Sequence, residues 1–540
     1  MGWTNILIAV ALGLVAHWLI GYHAFPTADD FAYAPLAEYR ADPSLFPRDE
    51  QLRLFENHAL VYEALFWLGA EGPGVEPVFR GAIWVQAALT AVMLLALLSA
   101  LGVPVAALPA VLGLGVVVAA GGLGRGEFGG LVAPFFHHHN LAMTLLIAAV
   151  AAAFRARNWL AGALLGLAAY AQPMTALHGA LAVGLGTLAL RPSGVVRLAL
   201  AAAVVALPVM ILVVGEIIAA PPPAVAFDLV EDAYRFRAPH HYDPDLRLIL
   251  VATLYLLCGW TGAWLLARAE PDLGRVAAGV MAGFTFLHLV TVLVYRGGLL
   301  EWVPFFILDA NRSTPLLFVL APAFAIAGAW RTSDRRTLLV VGLLVGGILL
   351  LNGTAGGAAL VVLSGVMFAL RERAWARPAV LGGLVVILAL HFPPPAAPPG
   401  MDAQTRTVLD RIRAETPPDA LFVIPVAMFE FRHFAQRSAY VDFKLFSVAQ
   451  PDQAALTRAR IEEVVRPDPA NRGAAGWPGM NVWEEDQRRA ATCEGMAEIL
   501  RATGADFYLR RVAPDETPPA CPALPLSIRS DKLALYGPPG

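Results

Sequence analysis

Apolar blocks of roughly 15–23 residues, separated by short polar stretches, run along most of this chain. They fall near residues 5–22, 81–101, 104–122, 138–154, 159–173, 176–190, 198–220, 248–267, 276–295, 314–330, 337–351, 358–370 and 378–391. A helix needs about 20 apolar residues to cross a bilayer, so the pattern predicts an α-helical polytopic membrane protein with about thirteen spans. No soluble domain can bury so much: the chain is 58% hydrophobic and only 15% charged, against about 45–50% and about 25% in ordinary globular domains. The blocks at 337–351 and 358–370 are short enough to form a re-entrant hairpin, which leaves the parity of crossings unchanged. Segment 5–22 lacks the basic start and small-residue cleavage site of a secretory signal and reads as an uncleaved first span. Net charge is −3 and no basic stripe occurs, which argues against nucleic acid as a partner.

The arginines orient the spans. Arg155 and Arg157, Arg191 and Arg197, Arg268 and Arg275, Arg331, Arg335 and Arg336, then Arg371, Arg373 and Arg377 all fall on alternate connections. Short Arg-rich connections belong in the cytoplasm. The opposite set, 23–80, 123–137, 221–247 and 296–313, is therefore outside. An odd number of spans from a cytoplasmic N-terminus also places everything beyond residue 392 outside, which makes this a multi-pass protein of the cell (inner) membrane. The prolines of "HFPPPAAPPG" cannot continue a helix. They divide the chain into a transmembrane part (1–392), a stiff linker (393–400) and an extracytoplasmic α/β domain (401–540). In the last, "DAQTRTVLDRIRAE" reads as an amphipathic helix, "ALFVIP" and "SAYVDF" as strands, and "EEDQRRAATCEGMAEILRATGADFYLRR" as a helix leading into a strand. An oxidising compartment permits a disulfide between Cys493 and Cys521; unlinked thiols are the alternative. Cys258 lies in an apolar span and reads as inert packing.

Four clusters of polar residues then share the outer side. The first loop carries ten carboxylates against four arginines between His23 and Arg80, and opens with Asp29 and Asp30. Neighbouring residues do not share a helix face, so one of them can work while the other caps the helix that "FAYAPLAEY" begins. "GGLGRGEFGGLVAPFFHHHN" supplies Arg125, Glu127 and His137–His139. "YRFRAPHHYDP" supplies Arg235, Arg237, His240 and His241. "LDANRST" supplies Asp309 and Arg312 where the chain re-enters the membrane. An arginine at that depth is costly unless it is paired or faces water, so Arg312 is either a functional group or half of an Asp309–Arg312 pair. Carboxylates can act as a base or hold a divalent cation, Mg2+ or Mn2+, with Asp29 and Glu127 as candidate ligands. Arginine suits phosphate through planar, paired hydrogen bonds. Carboxylates and phosphate-binding groups together at an outer membrane face point to a lipid-phosphate substrate.

This layout resembles the GT-C superfamily of membrane glycosyltransferases: a first span, a large first outer loop opening on an Asp pair ("TADDF"), about thirteen spans and an outer α/β domain. It is most similar to the arrangement of oligosaccharyltransferases and of the lipid A aminoarabinose transferase. The W-W-D-Y-G-type signature of the oligosaccharyltransferases is absent, which argues against peptide asparagine as acceptor. The resemblance implies sugar transfer from a polyprenyl-phosphate or polyprenyl-diphosphate donor to an extracytoplasmic glycan, lipid or protein. It makes Asp29 or Asp30 the base or acceptor-orienting carboxylate, with Arg125, Arg237, His240, His241 and Arg312 holding the donor phosphate. Phe31, Tyr33, Phe135 and Phe136 can stack on sugar or prenyl. The rival reading is a transporter or flippase with a periplasmic accessory domain. That reading calls for charged groups within spans and inverted repeats; Glu216 and His288 lie in spans, but no repeat is evident.

Overall fold

The computed structural model describes residues 2–20, 30–54, 60–105, 108, 136–219, 225–299, 308–332, 402–446, 451–513 and 516–537. The apolar blocks near 104–122, 337–351, 358–370 and 378–391 lie outside the described residues, as do the linker at 393–400 and Asp29, Arg125, Glu127 and Phe135. After α1 (Trp3–Ile20), the first loop holds α2 (Asp30–Ala41), α3 (Glu50–Leu54) and α4 (Leu60–Ala70). Within this loop "LVYEALFWLGA", not expected from sequence, is an apolar helix that packs Tyr62 and Phe66 against Phe79 and Phe136. The next helices are α5 (Val75–Ala100), α6 (His138–Phe154), α7 (Asn158–Ala171), α8 (Pro173–Leu190) and α9 (Pro192–Ala219). Two short helices, α10 (Phe227–Arg237) and α11 (Pro239–Tyr242), precede α12 (Leu246–Ala269), α13 (Pro271–Val290) and α14 (Thr314–Thr332).

Among the described residues, six helical segments are long and apolar enough to cross a membrane: Val75–Ala100, Pro173–Leu190, Pro192–Val213, Leu246–Ala269, Pro271–Arg296 and Ala310–Thr332. Helix α7 has 14 residues, about 21 Å at 1.5 Å per residue, which is short of a hydrocarbon core of about 30 Å. Helices α8 and α13 open on proline at the first turn, where its missing N–H has no intrahelical partner to lose. Lipid offers no hydrophobic force between helices, so close contact rests on small residues. At Gly262 of α12 an added Cβ would stand 2.4 Å from the Ala325 nitrogen of α14, so only glycine lets these two backbones meet. The arginines collect at one end of the bundle. Arg331 donates to the Leu101 carbonyl at 2.5 Å and pairs with Glu270 at 2.6 Å, and Arg155 donates to Ser99 at 2.9 Å.

The C-terminal part comprises α15 (Ala403–Glu415), β1 (Leu421–Val423), α16 (Phe431–Ala435), β2 (Ser438–Ala439), α17 (Pro451–Val465), α18 (Gly476–Ala490), α19 (Cys493–Thr503), β3 (Phe507–Arg511), β4 (Leu526–Arg529) and β5 (Leu533–Tyr536). The sheet order is β2-β1-β3-β5-β4, parallel on one side of β3 and antiparallel on the other. "SAYVDF" is shorter as a strand than expected, because beyond Ala439 the chain turns to other partners: the Asp442 N–H donates to Gln51 of the first loop at 2.8 Å. The single helix expected before "ADFYLRR" is two. Thr492 breaks it, its side chain accepting the Gly495 N–H at 3.1 Å as the cap of α19. Cys493 and Cys521 are joined in a disulfide, and Cys258 is a buried free thiol.

The C-terminal part packs on the first loop through Asp49 and Arg432, both buried. It meets the third loop through Phe236, whose ring stands 4.7 Å from that of Trp483. It therefore lies on the same side of the bundle as those loops, opposite the arginine cluster. A reporter fused after Gly400 should be active only outside the cytoplasm, and one fused after Arg157 only inside. A cytoplasmic signal at Gly400 would reverse the orientation drawn from the arginines.

Candidate functional site

The 3-10 turn Ala310–Ser313 opens the last described span and sets the centre of the site. Asp309 begins that turn with φ 49°, a left-handed conformation that is costly for a residue with a side chain. Two contacts hold it there: the Ala310 N–H donates to the Tyr295 hydroxyl at 2.9 Å, and His178 Nε2 donates to the Leu308 carbonyl at 2.9 Å. The Asp309 side chain is 3% exposed. Its Oδ2 accepts both His241 Nδ1–H and Arg312 Nε–H, each at 2.6 Å. Oδ1 is buried with no hydrogen-bond partner among the described residues. Burial raises the Asp309 pKa, but the charges and hydrogen bonds of His241 and Arg312 outweigh it and hold the value at about 2. The ionised form thus adds stability that is complete above the ordinary carboxylate value of 3.8 and lost as pH falls towards the folded value. At neutral pH the carboxylate is charged and fixes the Arg312 guanidinium and the His241 ring side by side.

Three other elements converge on this point. Helix α6 presents His137 and His138, stacked at 4.8 Å, and His139, whose Nδ1 lies 2.7 Å from Thr175 Oγ1 on α8. Helix α2 brings Tyr33, whose ring is 5.3 Å from His138 and 4.5 Å from Tyr62. The Tyr62 hydroxyl donates to the Phe136 carbonyl at 2.7 Å. The charge on Arg312 is close enough to act on Tyr33, Tyr242 and His139.

Of the residues expected from sequence, His241, Arg312, Asp309, Tyr33 and the three consecutive histidines are thus brought together. Asp30 is the first residue of α2, and His240 lies in α11 beside His241. Arg237 goes elsewhere: its guanidinium sits over Phe443 of the C-terminal part, 5.1 Å from the ring centroid. Arg235 donates to the Tyr295 carbonyl at 2.8 Å and pairs with Glu231 at 2.7 Å. The Asp309–Arg312 pair is present, but Asp309 also binds His241, so the pair is part of a three-membered group. Sequence reasoning missed His178, although a histidine within "TALHGALAV" is the kind of buried polar group in a span that marks a site. The candidate cation ligands Asp29 and Glu127 lie outside the described residues. Among the described residues no group of three His, Cys, Asp or Glu side chains is arranged for a metal, and Asp309 Oδ2 is already taken by Arg312 and His241.

A family described as "Domain of unknown function (DUF6798)" matches residues 403–464. No curated protein matches the chain. Several solved structures are similar to it at low identity. ArnT from Cupriavidus metallidurans bound to undecaprenyl phosphate is 13% identical over 99% of this chain and 97% of its own, with TM-score 0.42. Arabinofuranosyltransferase AftD from Mycobacteria is 14% identical over 100% of this chain but 40% of its own, with TM-score 0.47. The oligosaccharyltransferase of Archaeoglobus fulgidus in the apo form is 11% identical over 94% of this chain and 69% of its own, with TM-score 0.44.

Proposed function

We propose that this chain is an integral membrane glycosyltransferase that moves a sugar from a polyprenyl-phosphate-linked donor to an extracytoplasmic acceptor. The observation that carries this reading is the arrangement at Asp309: one buried carboxylate orders Arg312 and His241 where the last described span begins, with the Arg312 side chain 21% exposed. In the reaction, Asp29 or Asp30 takes the proton of the acceptor hydroxyl. The acceptor oxygen bonds to the anomeric carbon as the bond from that carbon to the phosphate oxygen breaks, and its electron pair stays on the phosphate. Arg312 and His241, with Arg125 and His240 as further candidates, stabilise that departing charge. Positive charge already fixed at the site needs no reorganisation as the phosphate leaves. The division at 393–400 fits this role, with the membrane part binding the donor and the outer domain covering the acceptor side.

The test is made with purified protein in proteoliposomes holding a polyprenyl-phosphate sugar. Acceptor-dependent release of free polyprenyl phosphate is the expected result. Movement of intact donor between leaflets without cleavage would instead establish a flippase and sink the enzyme reading.

A further inference from the structure

One buried arginine locks the first outer loop into the C-terminal part. Arg432 is 1% exposed. Its Nε donates to Asp49 Oδ2 at 2.6 Å, its Nη2 to Asp49 Oδ1 at 3.2 Å and to Gln51 Oε1 at 3.0 Å, and its Nη1 to Asp442. Asp49 Oδ2 also accepts the Ala439 N–H at 2.9 Å, while Gln51 Nε2 donates to the carbonyls of Asp442 at 2.8 Å and Leu445 at 2.7 Å. Asp49 and Arg432 stand 383 positions apart in the chain. A buried charge is tolerated only when it is paired and hydrogen-bonded in this way.

The same surface holds α2. The Phe31 ring lies 6.0 Å from Phe434, His433 Nδ1 lies 3.0 Å from Glu38 Oε1, and Leu36 is buried with Phe46, Leu52 and Leu445. Between Phe31 and Leu36, Tyr33 stands against His138 and Tyr62. An isolated helix of 12 residues is marginal in water, and the Pro35 within it removes one of its hydrogen bonds. Its position must therefore come from tertiary contacts. Residues 403–464, the segment matched by the family above, supply Arg432, His433, Phe434, Asp442 and Leu445.

We infer that Arg432 is a positioning residue for sugar transfer: by binding Asp49 and Gln51 to Asp442 it holds α2, which begins at Asp30, on the C-terminal part with Tyr33 beside His138. This rests on the proposed reading of the Asp pair as the base. A purely structural arginine would change protein yield and melting temperature but leave kcat per folded molecule intact.

The test compares Arg432→Gln, Arg432→Lys and the milder His433→Ala in the full chain in lipid nanodiscs, by amide hydrogen exchange across α2 and by steady-state transfer. Arg432→Gln should speed exchange in α2 about 10-fold or more. It should also lower kcat about 10–100-fold, the scale of an ångström-sized misplacement, with donor KM within about 2-fold because Arg312 is untouched. Arg432→Lys should recover part of both effects, and His433→Ala should shift both in the same direction by less. Unchanged exchange in α2, or faster exchange with wild-type kcat, overturns the inference. If Arg432→Gln does not fold, His433→Ala decides by the same criteria. Wild-type protein that transfers no sugar overturns the transfer reading, and exchange in α2 then decides whether Arg432 holds the helix.

Discussion

Asp29→Asn and Asp30→Asn should separate the working carboxylate from its neighbour by a rate loss of about 10²–10⁴ in one of them. Asparagine caps a helix about as well as aspartate, so a residue that only starts α2 should tolerate the change with melting temperature and protein level intact. A base cannot tolerate it, because the amide does not accept a proton at neutral pH. Which of the two loses activity identifies the base. Helix α2 begins at Asp30, so the variant that keeps wild-type turnover marks its own position as the cap. Wild-type turnover in both variants would remove the pair from the chemistry.

Arg312→Ala should weaken the donor step by about 10–100-fold in kcat/KM, the value of a hydrogen bond to a charged group. Arg312→Lys should restore only part of this, because an ammonium cannot reproduce the planar paired contact. The alanine variant also removes the guanidinium from buried Asp309, and breaking such a pair costs stability. Melting temperature must therefore be followed in parallel, and kinetics compared per folded molecule. His241→Ala removes the other donor to the same Oδ2 and should weaken the donor step in the same direction. If Arg312→Ala and His241→Ala both fold and both keep wild-type donor kinetics, the Asp309 group is structural and the phosphate is held elsewhere.

Much of the membrane part was legible because its signals are local. Each apolar block reports its own preference for lipid, and each arginine-bearing connection reports its own side. The arginine connections that the structure describes do gather at one end of the bundle, with Arg331 joining Leu101 to Glu270. Local reading failed where an element's fate depends on distant partners. Helix α4 was hidden inside a loop rich in carboxylates because its apolar face serves Phe79 and Phe136. Strand β2 stops after Ala439 because Asp442 pairs with Gln51 rather than with the sheet.

The amino-acid sequence alone determined the solvent each segment seeks and which polar clusters share a face, since transfer of a side chain into lipid and the placement of arginine are properties of single segments. Tertiary structure decided which charges meet. His241 and Asp309 lie 68 positions apart and share one carboxylate oxygen with Arg312, and Arg432 finds Asp49 across nearly the whole chain. Such pairings form only where packing has already brought the helices together, because a buried charge is stable solely beside its partner. Nothing in either residue's neighbourhood along the chain specifies which partner that is.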